Sequence, residues 1–143
     1  MLGLSQADLP ELHANAPVLA VVMETGYPEA VATLVALADG STSLYFSNGG
    51  GTIGGGEHPQ VAAATRRLVE VAASTLERLS PTTEFPLPAE GVTQLTAVTP
   101  NGRLSATAPE DELGSEGHEL SELFFAAQDV ITQLRLIDEE STG

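Results

Sequence analysis

A glycine-rich segment carries the residues whose types and spacing best suit ligand binding. Six of the nine residues from 48 to 56 (NGGGTIGGG) are glycine, and a predicted helix begins shortly afterwards, at residue 58. Glycine lets backbone approach a ligand closely, and N–H groups ahead of a helix N-terminus can bind an anion. An arginine two turns into the helix could complete such a site. The candidate ligand-binding residues are Asn48, Gly49, Gly50, Gly51, Thr52, Gly54, Gly55, Gly56, His58 and Arg66.

The same segment has two other interpretations. It can be an irregular structural loop that crosses the sheet edge and places Ile53 in the core, which is the interpretation favoured here, or a flat surface that contacts a partner. Residues 49–54 match G-x-G-x-x-G, but a dinucleotide site needs the motif to enter its helix directly within a β-α-β unit. The next predicted strand begins only at Val92. A phosphate-binding P-loop is excluded because no lysine follows.

Other chemistry is limited by what the chain lacks. All five cationic side chains are arginine, and there is no cysteine, which excludes lysine and thiol catalysis, disulfides and cysteine-bound metals. There is also no Gly-x-Ser-x-Gly nucleophile motif. His58 and His118 precede or begin predicted helices beside Glu57 and Glu119, and could converge on a metal. Since the histidines, including His13, lack ligand spacing, we expect exposed or helix-capping roles and predict no metal site and no cofactor.

Two further features stand out among the acidic and aromatic residues. Glu24 is the only acid in an apolar context, at the end of a buried strand, where we expect it to reach water. Phe124 and Phe125 are adjacent on a predicted helix, so they cannot both face the core. We expect Phe125 to be the exposed one, which suggests a homodimer or a partner contact.

The charge balance restricts the partners. The chain of 143 residues carries 20 acidic and five basic residues, for a net charge of -15. Such a surface disfavours nucleic acid and anionic membranes, and it serves solubility or the docking of a basic partner. The longest apolar run, residues 16–23, is too short to span a bilayer, and the N-terminal residues lack the basic start of a secretory signal. We therefore expect a cytoplasmic protein.

The elements that must position these residues follow from hydrophobic periodicity. A short helix is predicted for residues 8–14, and a buried strand for residues 17–25. Residues 31–38 and 41–47 are predicted to pair as a hairpin that turns at Asp39-Gly40. A long helix is predicted for 58–80, ended by Pro81, and residues 81–91 form an extended strap. A second hairpin, 92–99 with 103–108, turns at Asn101-Gly102; an acidic, mobile loop (109–117), a helix (118–137) and a frayed tail (138–143) complete the chain.

This order predicts a single α+β domain over residues 1–143. A five-stranded antiparallel sheet, built from groups of three and two strands, carries two long helices and the short N-terminal helix. By element types it resembles the profilin, longin and roadblock group of small domains, although roadblock and longin domains place two strands before the first long helix and three after it.

A second resemblance concerns the amino-acid sequence of one segment. The segment SLYFSNGGGTIGGGEHPQV, 43–61, is similar to bacterial small-domain proteins whose core is a strand, this double glycine triplet and a helix. The resemblance covers residues 18–75 and implies no particular activity. The sequence thus predicts a non-enzymatic protein-interaction or regulatory domain, as a homodimer. The alternative is a small-molecule or anion-binding protein, or a minor enzyme, that uses residues 48–56.

Overall fold

Seven β-strands and three α-helices are found among the described residues of the computed structural model, 18–47, 53–54, 58–82, 88–115 and 117–142. A short 3-10 helix, Leu76–Arg78, follows the first α-helix, and the helix predicted at 8–14 lies outside the described residues. The strands are β1 (Ala20–Gly26), β2 (Val31–Leu37), β3 (Thr42–Phe46), β4 (Ile53–Gly54), β5 (Ser80–Thr82), β6 (Val92–Thr99) and β7 (Gly102–Pro109). The helices are α1 (Pro59–Ser74), α2 (Glu110–Leu113) and α3 (Ser121–Thr142).

The strands form one antiparallel sheet in the order β4-β3-β2-β1-β6-β7-β5, and the domain is α+β as predicted. The predicted count of five strands is wrong. Six strands have three or more residues, and the two-residue β4 adds a further edge strand. The strand β5 was missed because it contains Pro81, which cannot donate to a ladder; proline is tolerated there because β5 is an edge strand.

Both predicted hairpins are confirmed. β2 pairs with β3, and the loop between them closes through the Leu37 N–H, which donates to the Ser41 carbonyl at 2.9 Å. Gly40 has φ +98°, a conformation that glycine adopts at little cost. β6 pairs with β7 through a two-residue turn that joins Thr99 to Gly102. The two turn residues are Pro100 and Asn101, and Gly102, predicted as a turn residue, is the first residue of β7 with φ +131°. The β2–β3 loop with Gly40 and the Pro100-Asn101 turn therefore fix the register of the two hairpins.

The core lies between one face of the sheet and the helices. In β1 the side chains of Val21 and Met23 join the main core cluster, which also contains Leu68 of α1 and Leu123 of α3. Side chains alternate along a strand, so Ala20, Val22 and Glu24 project to the opposite face. The apolar cluster on that face contains no residue of the described helices: its members are Leu19, Ala20, Val98 and Leu37.

The helix boundaries differ from the predicted ones for local reasons. α1 ends at Ser74, where the Ser74 and Thr75 hydroxyls donate to the Val71 carbonyl and compete with the helical pattern. α3 begins at Ser121, whose hydroxyl donates to the Leu113 carbonyl at 2.7 Å. It continues to Thr142, through the residues expected to fray.

The acidic segment predicted as a mobile loop contains α2. This single helical turn places three acids in its first turn, where the helix dipole favours them, and it buries Leu113 completely.

Candidate functional site

The glycine-rich candidate site is only partly within the described residues. Asn48, Gly49, Gly50, Gly51, Thr52, Gly55 and Gly56 lie outside them. Gly54 and its neighbour Ile53 form β4, which pairs with Ser43 and Leu44 of β3. This part of the segment therefore has a structural role as an edge strand, and ligand binding by the segment as a whole stays a prediction.

The two remaining candidate residues lie at separate places on α1. His58 is the residue before the first residue of the helix, with an extended backbone and a half-buried side chain. Arg66 begins about 12 Å farther along the helix axis, given a rise of 1.5 Å per residue. Its Nη2 donates to the Asp39 carbonyl at 3.3 Å, beside Gly40 in the β2–β3 turn. In the described contacts, Arg66 therefore fastens α1 to this turn.

The two described histidines, His58 and His118, both lie at helix N-termini, but the predicted capping role does not hold for His58, which makes no side-chain cap hydrogen bond to α1. The Nδ1 of His118 accepts the Leu120 N–H at 3.0 Å in the turn that precedes α3, which agrees with the predicted capping role. His13 lies outside the described residues, as does Glu57 of the hypothetical metal cluster. Within the residues that the structure describes, no group of three or more metal-ligating side chains is found.

The outer faces of α1 and α3 form a surface with an aromatic centre. Phe124 is buried and Phe125 is 40% exposed, as predicted, and their ring centroids are 5.9 Å apart. Phe125 lines an open cavity of about 460 Å³ between the two helices. We call this the outer helical face; its cavity is lined by Arg67, Ser121, Glu122, Phe125, Ala126 and Asp129.

A second large apolar residue extends this face. Leu136 is 47% exposed, eleven residues after Phe125 on α3. At 100° per residue the two side chains lie within about 20° of one another around the helix, about 16.5 Å apart along its axis. The exposure of Leu136 was not predicted, because apolar residues of an amphipathic helix are expected to be buried. The signal that could have indicated it is the spacing of eleven residues from Phe125, which places both side chains on one side of the helix.

A second open cavity, of about 450 Å³, lies beside β5, the edge strand at one end of the sheet. The sequence did not predict this cavity, because it did not predict the strand β5 that forms one wall. Its walls combine aliphatic side chains with the polar groups of the β6–β7 turn. The lining residues are Pro81, Thr82, Thr99, Asn101, Gly102, Arg103 and Leu104.

Glu24 lies on the face of the sheet opposite α1 and α3, where its neighbours Val22 and Gln94 are each only 5% exposed. Its side chain is half-buried, and the Gln94 Nε2 donates to its Oε1 at 3.2 Å. Burial raises the pKa of Glu24 above its ordinary value of 4.5, and the hydrogen bond from Gln94 partly offsets that rise. The expectation that Glu24 simply reaches water is therefore incomplete, since burial disfavours its charged form.

Comparisons with known proteins leave these geometric features as the basis for a functional proposal. None of the helices in the described part of the chain is long and apolar enough to cross a membrane. No protein-family model, curated protein or solved structure matches the chain.

Proposed function

We propose that this chain is a cytoplasmic, non-enzymatic protein-interaction domain that associates with a second copy of itself through the outer helical face. The observation that carries the proposal is the stripe of α3 that presents Phe125 and Leu136 to solvent, each with more than a third of its surface exposed. Exposed apolar groups gathered on one face favour a protein contact more strongly than scattered ones. Aromatic residues are enriched at the centres of such contacts.

Charges on the outer helical face support a second copy as the occupant. Arg67 lies on α1, and Glu122 and Asp129 lie on α3, on either side of the cavity. No ion pair within 4.0 Å joins these three side chains, all of which are in the described region. A two-fold axis along the groove places α1 of one copy against α3 of the other. Arg67 then faces the partner's acidic side chains, so the face is complementary to itself.

The size of the face suits a weak, reversible dimer. α1 has 16 residues, and α3 spans 16 residues from Ser121 to Leu136, so each is about 24 Å long over this range. Two adjacent helices, each about 10 Å wide, present roughly 480 Å² per copy, or about 1,000 Å² in the pair. This area lies below the roughly 1,200–2,000 Å² of specific, stable interfaces and within the range of weak, transient ones, so we expect a weak, reversible dimer.

The proposal is tested by measuring mass in solution with light scattering after gel filtration. The wild-type chain is expected to pass from 14.8 kDa toward twice that mass as its concentration rises. Phe125→Ser is expected to stay at the lower mass. Tyr45→Ser is the matched control, because Tyr45 has a similar exposure of 44% but lies on the sheet. An ionic strength of about 0.15 M limits charge repulsion to about 8 Å.

Two outcomes would contradict self-association through this face. One is a wild-type chain that stays at 14.8 kDa at every concentration. The other is a dimer that Phe125→Ser leaves intact while Tyr45→Ser dissociates it, which would place the contact on the sheet. The likeness to profilin, longin and roadblock domains plays no part in the proposal.

A further inference from the structure

Glu24 is at the centre of a row of side chains that crosses five strands. β1 is the fourth of the seven strands in the sheet order. In the strand register Glu24 pairs with Thr33 of β2 on one side and with Gln94 of β6 on the other. Thr33 pairs in turn with Tyr45, and Gln94 with Thr107. We call this the Glu24 row; its members are Tyr45, Thr33, Glu24, Gln94 and Thr107.

The Glu24 row provides a carboxylate without a cationic neighbour. Both cross-strand neighbours of Glu24 are uncharged, and Gln94 is its one hydrogen-bond donor among the described residues. A half-buried carboxylate loses hydration that a single amide does not replace. A cation bound from outside would supply the missing interaction, and hydrogen bonds to charged partners are about twice as strong as neutral ones.

Groups beside Glu24 suit a long cationic side chain. Val31 and Val35 flank Thr33 along β2, on the same face as Glu24, and both are partly exposed. Lysine and arginine lay their aliphatic stems along such apolar surface while the charged end reaches a polar partner. Tyr45 is two strands from Glu24, about 10 Å away, and its exposed ring offers a second contact, to an apolar group or to another cation.

The charge of the whole chain favours the same class of ligand. With a net charge of -15 and no lysine, the protein attracts cations and repels anionic surfaces. On the sheet face of the Glu24 row, Val22, Gln94 and Thr96 are each at most 5% exposed, so the accessible side of Glu24 is the one toward β2 and β3. We propose that this β2–β3 side of the Glu24 row binds a basic segment of a partner protein, with one lysine or arginine side chain on the Glu24 carboxylate. This inference goes beyond self-association and uses the opposite face of the sheet, so each can fail without the other.

The test measures binding of a fluorescein-labelled peptide that alternates arginine with valine, by fluorescence anisotropy. Glu24→Gln keeps the side-chain shape and the possibility of pairing with Gln94, and it is expected to weaken binding by about tenfold or more. Glu70→Gln removes the same charge from the exposed surface of α1, and is expected to change affinity less than about twofold. Tyr45→Ser is expected to weaken binding, whereas Phe125→Ser is not.

Three results would overturn the proposed site. Equal effects of Glu24→Gln and Glu70→Gln would mean that the peptide responds only to overall charge. An absence of binding by the wild-type chain would contradict the site outright. Displacement of the peptide by an equal concentration of spermine would assign the face to free polyamines instead of a protein segment. Circular dichroism of each variant separates these results from a loss of folding.

Discussion

Reversing the charge of Arg67 tests the geometry of the proposed dimer. Arg67 is exposed, and no described hydrogen bond or ion pair holds it, so Arg67→Glu should leave the fold intact. Each exposed ion pair contributes about 0.2–1 kcal/mol. Reversal replaces an attraction by a comparable repulsion, and the two-fold axis applies the change twice. Dimerisation should therefore weaken by about 1–4 kcal/mol, which raises the dissociation constant from about fivefold to nearly a thousandfold.

A complementary variant makes this prediction specific. Replacing Glu122 and Asp129 together by arginine should also yield a monomer, because two arginine-bearing surfaces then face one another. Mixed with Arg67→Glu, it should form a heterodimer, which analytical ultracentrifugation detects as the return of the dimer mass. If the mixture stays monomeric while both proteins remain folded, Arg67 does not face these acids across the interface. A homodimer of Arg67→Glu as tight as the wild type would refute the arrangement outright.

Two further predictions concern the sheet. A Cβ on Gly26 would lie 2.2 Å from the Ala89 carbonyl oxygen, so Gly26→Ala should lower the free energy of unfolding by about 1–3 kcal/mol in urea denaturation. Gly114→Ala is the control: its Cβ would meet only ordinary contacts, so the change should be neutral or slightly stabilising. Equal unfolding midpoints for the two variants would contradict the close approach at Gly26. Because the pKa of Glu24 is raised, its contribution to folding is present below pH 4.5 and lost as the pH rises through the raised value. Glu24→Gln should therefore melt at or above the wild-type temperature at pH 7 and lose that advantage near pH 4. A decrease in melting temperature that is larger at pH 7 than near pH 4 would mean instead that the charged carboxylate stabilises the sheet.

The sequence predicted the parts of the fold that depend on local chemistry. Asp39-Gly40 and the run Pro100-Asn101-Gly102 have few alternatives to a turn, and the alternating strands on either side of each can pair in only one register that buries one face. The buried stripe of α3 was also predicted, because a period of 3.6 residues identifies one apolar side. Exposure of Phe125 followed from its adjacency to Phe124, since neighbours on a helix point in different directions.

The missed elements depend on tertiary contacts. β5 contains Pro81, a poor strand residue that is acceptable only where the sheet ends. α2 is one turn long and is anchored by the fully buried side chain of Leu113. No local sequence pattern indicates that Leu113 is buried. The Glu24 row could not be predicted, because its members come from five strands and meet only through the register. Glu24 was recognisable as unusual, but its neighbours Thr33 and Gln94 were not.

Hydrogen exchange of the wild-type chain at low and high concentration tests the central claim most directly, since it reports both association and its location without any substitution. If the outer helical face is the contact between two copies, amide exchange in α1 and α3 will slow as concentration rises, and exchange in β2 and β3 will not change. Identical exchange at both concentrations, in solutions where light scattering shows a dimer, would contradict the account, as would protection confined to the sheet.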